Sequence, residues 1–241
     1  MTDPATSNII RIGGYITPQG TFAKSGSSKP TPCPAGSYND LPGKADCTET
    51  PPGYFTLLNS SSYADNIGRP GYYYPAGTKF STEFPCPRGT YSNVTGIISA
   101  SDCVPSPPGT ASLAIGLPAP NAKCGPGHYC LHGADTMFPN DGVSGGKCSP
   151  GYVCKAGAAT PTPSDGITGY PAPSGTYSGS GSSVEVGCEP GTFNPSHGAS
   201  SCMPCPGGTF CTGSTITPEP CPVHKYCPES TFQPILCLNG T

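Results

Sequence analysis

A chain of 241 residues is long enough for one or two globular domains, but 34 Gly, 33 Pro, 15 Cys, no Trp and only 34% hydrophobic residues leave too little aliphatic material for an ordinary core. A formal charge of −3 without blocks of one sign excludes an electrostatic footprint for nucleic acid or an anionic membrane, and no run approaches the roughly 18 apolar residues of a membrane span. What remains is a small disulfide-rich fold, mostly irregular and β, secreted or displayed on the cell surface.

Residues 1–16 differ in character from the rest. Asn8 to Ile16 is β-branched and reads as a strand, either starting the first sheet by local pairing or donated to the open edge of a neighbouring subunit. The basic and apolar regions of a signal peptide are missing from Met1 to Ile16, so the chain is expected to be a piece of a larger or processed product.

From Thr17 onward one short unit recurs. Its clearest form is Cys205-Pro206-Gly207-Gly208-Thr209-Phe210-Cys211: Cys first, Pro second or third, Gly fourth, an aromatic sixth and, in some copies, Cys seventh. Copies begin at Thr17, Cys33, Thr50, Gly68, Cys86, Ser106, Cys124, Cys148, Ala172, Cys188, Cys205, Cys221 and, cut short, Cys237, at steps of 16 to 24 residues. Only His224 breaks the fourth-place Gly, and only Ala111 and Val153 break the sixth-place aromatic. The expectation is an elongated linear array of about 13 short repeats in which each aromatic folds onto its neighbour.

In chain order, residues 17–123 hold copies of which several lack cysteine. Residues 124–171 are two tandem 24-residue copies, in which Asp141-Gly142 and Asp165-Gly166 mark tight turns, and 172–241 close the array with compact cysteine-rich copies. Gly or Pro interrupts almost every stretch of seven residues, so almost no helix is expected.

First-place and seventh-place cysteines are gained and lost in step, as partners are. Where the first is Cys and the seventh is not, another Cys follows 14 to 17 residues on. The expected bridges are Cys33 with Cys47, Cys86 with Cys103, Cys124 with Cys130, Cys148 with Cys154, Cys188 with Cys202, Cys205 with Cys211, and Cys221 with Cys227. Cys237 is left over, with its partner beyond Thr241 or on another subunit.

The stretches Cys33-Pro34-Ala35-Gly36-Ser37-Tyr38 with Cys47, and Cys188-Glu189-Pro190-Gly191-Thr192-Phe193 with Cys202, resemble the ephrin-receptor-like cysteine-rich repeat and the first module of tumour-necrosis-factor-receptor ectodomains. Compact copies such as the one from Cys221 to Pro228 look like the arrays of large surface proteins of protists and algae. The resemblance implies local loop closure and an extracellular setting.

Candidate chemistry is sparse. His128 and His132 flank Cys130, but a disulfide-bonded Cys is no thiolate ligand; no metal and no cofactor is expected. His197 and His224 stand alone, and Asp141 and Asp165 read as turn formers rather than calcium ligands. Neither a nucleophile elbow nor a phosphate loop is present, so the chain is read as non-enzymatic. Three N-glycosylation sequons stand at Asn59, Asn93 and Asn239, whereas Pro195 blocks Asn194; Thr160 to Pro163 and Pro171 to Pro173 are candidates for O-linked sugar or hydroxyproline. The reading is a structural subunit of an extracellular glycosylated rod or filament, a ciliary fibril, sheath or cell coat. Its partners would be copies of itself or neighbouring subunits. The alternative is a receptor or adhesin ectodomain, binding protein or carbohydrate through anchors such as Tyr72, Tyr73 and Tyr74.

Overall fold

A computed structural model of the chain describes residues 11–12 and 15–237. These contain eleven two-stranded antiparallel sheets, and their helical content is a single 3₁₀ turn at Ala100–Asp102, capped by Ser99. The fold is small, disulfide-rich and nearly helix-free. It divides into two compact units: unit 1 takes the chain up to Pro105 with Ala114–Pro120, and unit 2 takes Ser106–Leu113 with the chain from Asn121 onward.

Unit 1 opens on β1 (Arg11–Ile12) paired with β2 (Tyr15–Ile16). Of the stretch expected to form a donated strand, the described part therefore pairs locally; the remainder, with the Asn8 and Ile9 end, lies outside the described residues. Next come β3 (Thr21–Phe22) with β4 (Thr31–Pro32), β5 (Ser37–Tyr38) with β6 (Thr48–Glu49), and β7 (Thr90–Tyr91) with β8 (Val104–Pro105). Between β6 and β7, the cysteine-free copies at Thr50 and Gly68 are each closed by one antiparallel bridge, Tyr54 to Ile67 and Tyr72 to Pro85.

In unit 2 the pairs are β9 (Thr110–Ala111) with β10 (Ala122–Lys123), β11 (His128–Cys130) with β12 (Gly145–Lys147), and β13 (Tyr152–Cys154) with β14 (Gly169–Pro171). Then follow β15 (Thr176–Tyr177) with β16 (Val186–Gly187), β17 (Thr192–Phe193) with β18 (Met203–Pro204), β19 (Thr209–Phe210) with β20 (Glu219–Pro220), and β21 (Lys225–Tyr226) with β22 (Ile235–Leu236).

One register rule runs through both units: the fifth-place residue faces the residue just before the next copy begins, as in Thr21 with Pro32, Thr90 with Pro105 and Thr209 with Pro220. Even β1–β2 obeys it, Arg11 facing Ile16 ahead of Thr17. The hairpin starts with a tight turn closed by the fifth-place N–H on the second-place carbonyl, Thr21 on Pro18 at 3.2 Å and Thr209 on Pro206 at 3.1 Å. The fourth-place residues, Gly20 through His224, hold φ between 64° and 89°, which at the third position of a four-residue turn is the signature of type II.

At most of these places sterics demand glycine as well, the last two copies, with open space at Gly208 and a side chain at His224, being the exceptions. A Cβ on Gly36 would lie 2.2 Å from the carbonyl oxygen of Gly77, two copies further on. Backbone thus approaches backbone where no side chain fits.

Candidate functional site

The feature repeated most faithfully is a main-chain frame. In unit 1 the Cys33 N–H donates to the Gly20 carbonyl (2.8 Å), Gly20 N–H to Asn39 (2.9 Å), Ala23 N–H to Lys44 (3.1 Å) and Gly43 N–H to Thr17 (2.9 Å). Unit 2 repeats the same four rungs: Cys148 N–H to Gly127 (3.0 Å), Gly127 to Cys154 (2.9 Å), Cys130 to Ala158 (3.0 Å) and Gly157 to Cys124 (2.8 Å). Within each unit, successive copies are thereby sewn together without using a side chain.

The fourth rung needs a second left-handed residue, at the tenth or eleventh place. It is Gly43, Asn59, Gly77, Gly96 or Gly116 in unit 1 and Gly133, Gly157, Gly181, Gly198, Ser214 or Ser230 in unit 2, with φ between 48° and 91°. Reading the first seven places alone misses this position. Its signal was a glycine recurring at a spacing that drifts by one, with Asn59, Ser214 and Ser230 as exceptions.

In each unit, a buried column around this frame is built from first and seventh places. Cys33, Thr50, Cys86, Cys124 and Cys148 at the first, and Asn39, Thr56, Cys130, Cys154 and Ser178 at the seventh, have no exposed surface. The sixth-place rings Phe22, Tyr38, Tyr177 and Phe193 are only half-buried. Ring contacts run from Tyr38 and Tyr54 to Tyr63 (5.0 and 4.9 Å between centroids), from Phe55 to Tyr74 (6.3 Å) and from Tyr73 to Phe84 (5.5 Å); two of these four cross from one copy to the next, but none joins two sixth-place rings as a continuous ladder would.

How a copy fills the column varies. The structure joins Cys124–Cys130, Cys148–Cys154, Cys205–Cys211 and Cys221–Cys227 across the two places, and Cys33–Cys47, Cys86–Cys103 and Cys188–Cys202 through the longer loops. Without cysteine, hydroxyls take over: Thr50 and Thr56 share a hydrogen bond, and Ser106 donates to Ser112 at 2.7 Å. The copy at Gly68 uses size. Tyr74 fills the place wholly, its hydroxyl donating to the Ser81 carbonyl (2.7 Å) and accepting from the Arg69 N–H (3.0 Å). A Cβ on Gly68 would lie 2.1 Å from that ring. Burial pushes the Tyr74 phenol above its ordinary pKa.

The remaining sequence candidates fall apart from one another. His128 packs edge-on against Phe138 at 5.3 Å, His132 is exposed, and no three His, Cys, Asp or Glu side chains converge to hold a metal among the described residues. Asp141 accepts from Val143 N–H, Ser144 N–H and the Ser144 hydroxyl, each at 2.8 Å; Asp165 does the same with Ile167 and Thr168. These bonds, the Thr168 hydroxyl first, hold the Asp165 carboxyl down to about 2 and keep Asp141 below the usual carboxylate range.

Tyr72 lies beneath the Arg69 guanidinium at 4.6 Å, which with Tyr73 on Phe84 and Tyr74 in the column engages all three tyrosines in packing. Cys237 carries a free, exposed thiol, its N–H donating to the His224 carbonyl at 3.2 Å. Asn59 and Asn93 are exposed, Asn194 is buried, and Asn239 lies outside the described residues.

A recess of about 410 Å³ in unit 1, lined by Phe22, Ser37, Asp46, Glu49 and the Cys47 half-cystine, gathers two carboxylates beside a disulfide, and its one hydroxyl, that of Ser37, donates to the Pro34 carbonyl at 2.8 Å. No described helix is long and apolar enough to cross a membrane. Seven disulfides mark a secreted or extracellular chain. No protein-family model matches the sequence, and no curated protein matches it.

Proposed function

We propose that the chain is a non-catalytic structural segment of an extracellular glycoprotein that assembles into a filament, sheath or cell coat. N-linked sugar stands on Asn59, Asn93 and Asn239, and the partners are copies of itself or neighbouring subunits. One observation carries this reading: the four main-chain rungs persist while the side chains between them change from disulfide to hydroxyl pair to a buried tyrosine. Order resides in the backbone and passes from copy to copy, as suits a material built by repetition. The likeness of the Cys33 and Cys188 copies to ephrin-receptor-like and tumour-necrosis-factor-receptor modules supports the extracellular setting. A receptor role is less well supported, because Tyr72, Tyr73 and Tyr74 are engaged in packing rather than presented as anchors.

Electron microscopy of the purified, oxidised protein tests the reading. Regular fibres that thicken or lengthen with concentration are expected; discrete particles at every concentration that retain a protein or glycan ligand would replace it with the receptor reading.

A further inference from the structure

The fourth rung anchors a loop from each copy onto the copy before it: in unit 1, Gly43 N–H on Thr17, Asn59 on Cys33, Gly77 on Thr50, Gly96 on Gly68 and Gly116 on Cys86. The loops therefore succeed one another in a row, one step per copy. The residues one or two places before these left-handed positions include Leu41, Leu58, Val94 and Ile115, which are 55, 68, 55 and 60% exposed, while the middle loop, before Gly77, carries Pro75 and Ala76. In unit 2 the residues just before the equivalent positions are His132, Ala156, Ser180, His197, Gly213 and Glu229, and the aliphatic nearest by, Leu131, is half-buried. Unit 1 thus carries an aliphatic loop row where unit 2 carries a polar or small one.

Both sequons of the described residues stand in that aliphatic row. Asn59 follows Leu58 and Asn93 precedes Val94; both are exposed, as are their acceptor residues Ser61 and Thr95. Neither asparagine side chain is held in a hydrogen bond to another described residue. An exposed aliphatic row is a liability for a secreted chain at high local concentration, and a bulky hydrated sugar at its centre removes that liability without altering the loops.

We infer that the loop row Leu41, Leu58, Val94 and Ile115 is covered by N-linked glycans on Asn59 and Asn93, which keep this face of unit 1 out of apolar association. The inference rests on the extracellular glycoprotein reading above and adds which face is withheld from contact. In the attachment step the Asn amide nitrogen forms a C–N bond to the anomeric carbon of a lipid-linked oligosaccharide. The lipid pyrophosphate leaves as that carbon's C–O bond breaks, and the amide gives up one proton.

The test uses the whole chain secreted from a eukaryotic host, with peptide mass spectrometry for sugar at Asn59 and Asn93. Ser61→Ala with Thr95→Ala removes both acceptor hydroxyls while leaving Asn59 in its left-handed conformation. This variant should keep its seven disulfides, bind several-fold more of an apolar fluorescent dye, and sediment as concentration-dependent oligomers. Adding Leu41→Ser, Leu58→Ser, Val94→Ser and Ile115→Ser should abolish both gains. Unoccupied sequons, dye binding and sedimentation unchanged without sugar, or oligomers that survive the four serines would each overturn the inference. Fibre formation by the glycosylated wild type is read separately by microscopy, so either idea can fail without the other.

Discussion

The copies at Thr50 and Gly68 in unit 1 and those at Cys205 and Cys221 in unit 2 share one turn, one register and one set of rungs, yet the first two are closed without a covalent bond. A hydroxyl pair or a phenol against a glycine fills the space that a cystine fills elsewhere. The cystines are therefore one of several ways to close the column, and each unit should depend on them in proportion to how many it holds.

Reduction should have the largest effect. Unit 2 holds five bridges and unit 1 two. Each closes a short loop worth about 2.5–3 kcal/mol in the chain-entropy account. Hydrogen exchange after reduction should show protection lost across 124–227 and retained across 50–85; equal loss in both would mean that the cysteine-free copies borrow their order from the bridges. Next in size, Gly68→Ala drives a methyl into the Tyr74 ring and should destabilise unit 1 by about 1–3 kcal/mol, the usual range for overpacking, without moving unit 2 in the same denaturation experiment.

The reverse exchange should add a covalent closure. Thr50→Cys with Thr56→Cys should form an eighth bridge and raise the stability of unit 1 by about 2 kcal/mol when oxidised, with the gain lost on reduction. Mass spectrometry of the thiol count and the oxidised and reduced melting curves check it.

The smallest effects are titrations. Tyr74 has a raised folded-state pKa, so its contribution is full below its ordinary value near 10 and is lost as pH climbs through the folded one. Tyr74→Phe should flatten that alkaline loss in unit 1. Asp165 has a depressed one, so its contribution is present above 3.8 and fades as pH falls toward about 2; Asp165→Asn should flatten that acid loss in unit 2.

Much of this could be read from residue order. The fourth-place glycine, the near-absence of helix among the described residues and the local character of each loop follow from turn chemistry that acts over four residues. First and seventh places that exchange cysteine in step, such as Cys205 and Cys211, do lie across from one another. What was not legible depends on neighbours one or two copies away. Thr50 and Thr56 look like any surface hydroxyls until the column is seen to bury them, and Gly68 looks like a lost cysteine until Tyr74 occupies its space. The aliphatic loop row was invisible for a related reason: Leu41, Leu58, Val94 and Ile115 share no fixed spacing and align only through the left-handed residue that follows them.

The register rule leaves the distance from the second left-handed residue to the end of a copy unconstrained, which is why steps of 16 and 24 residues coexist. In the two longest copies the surplus ends in the turns at Gly142 and Gly166, where an added Cβ would meet nothing within 4 Å. A passenger sequence spliced into either turn would hang outside the scaffold as a display site, and the spine beneath it would carry the graft unaltered.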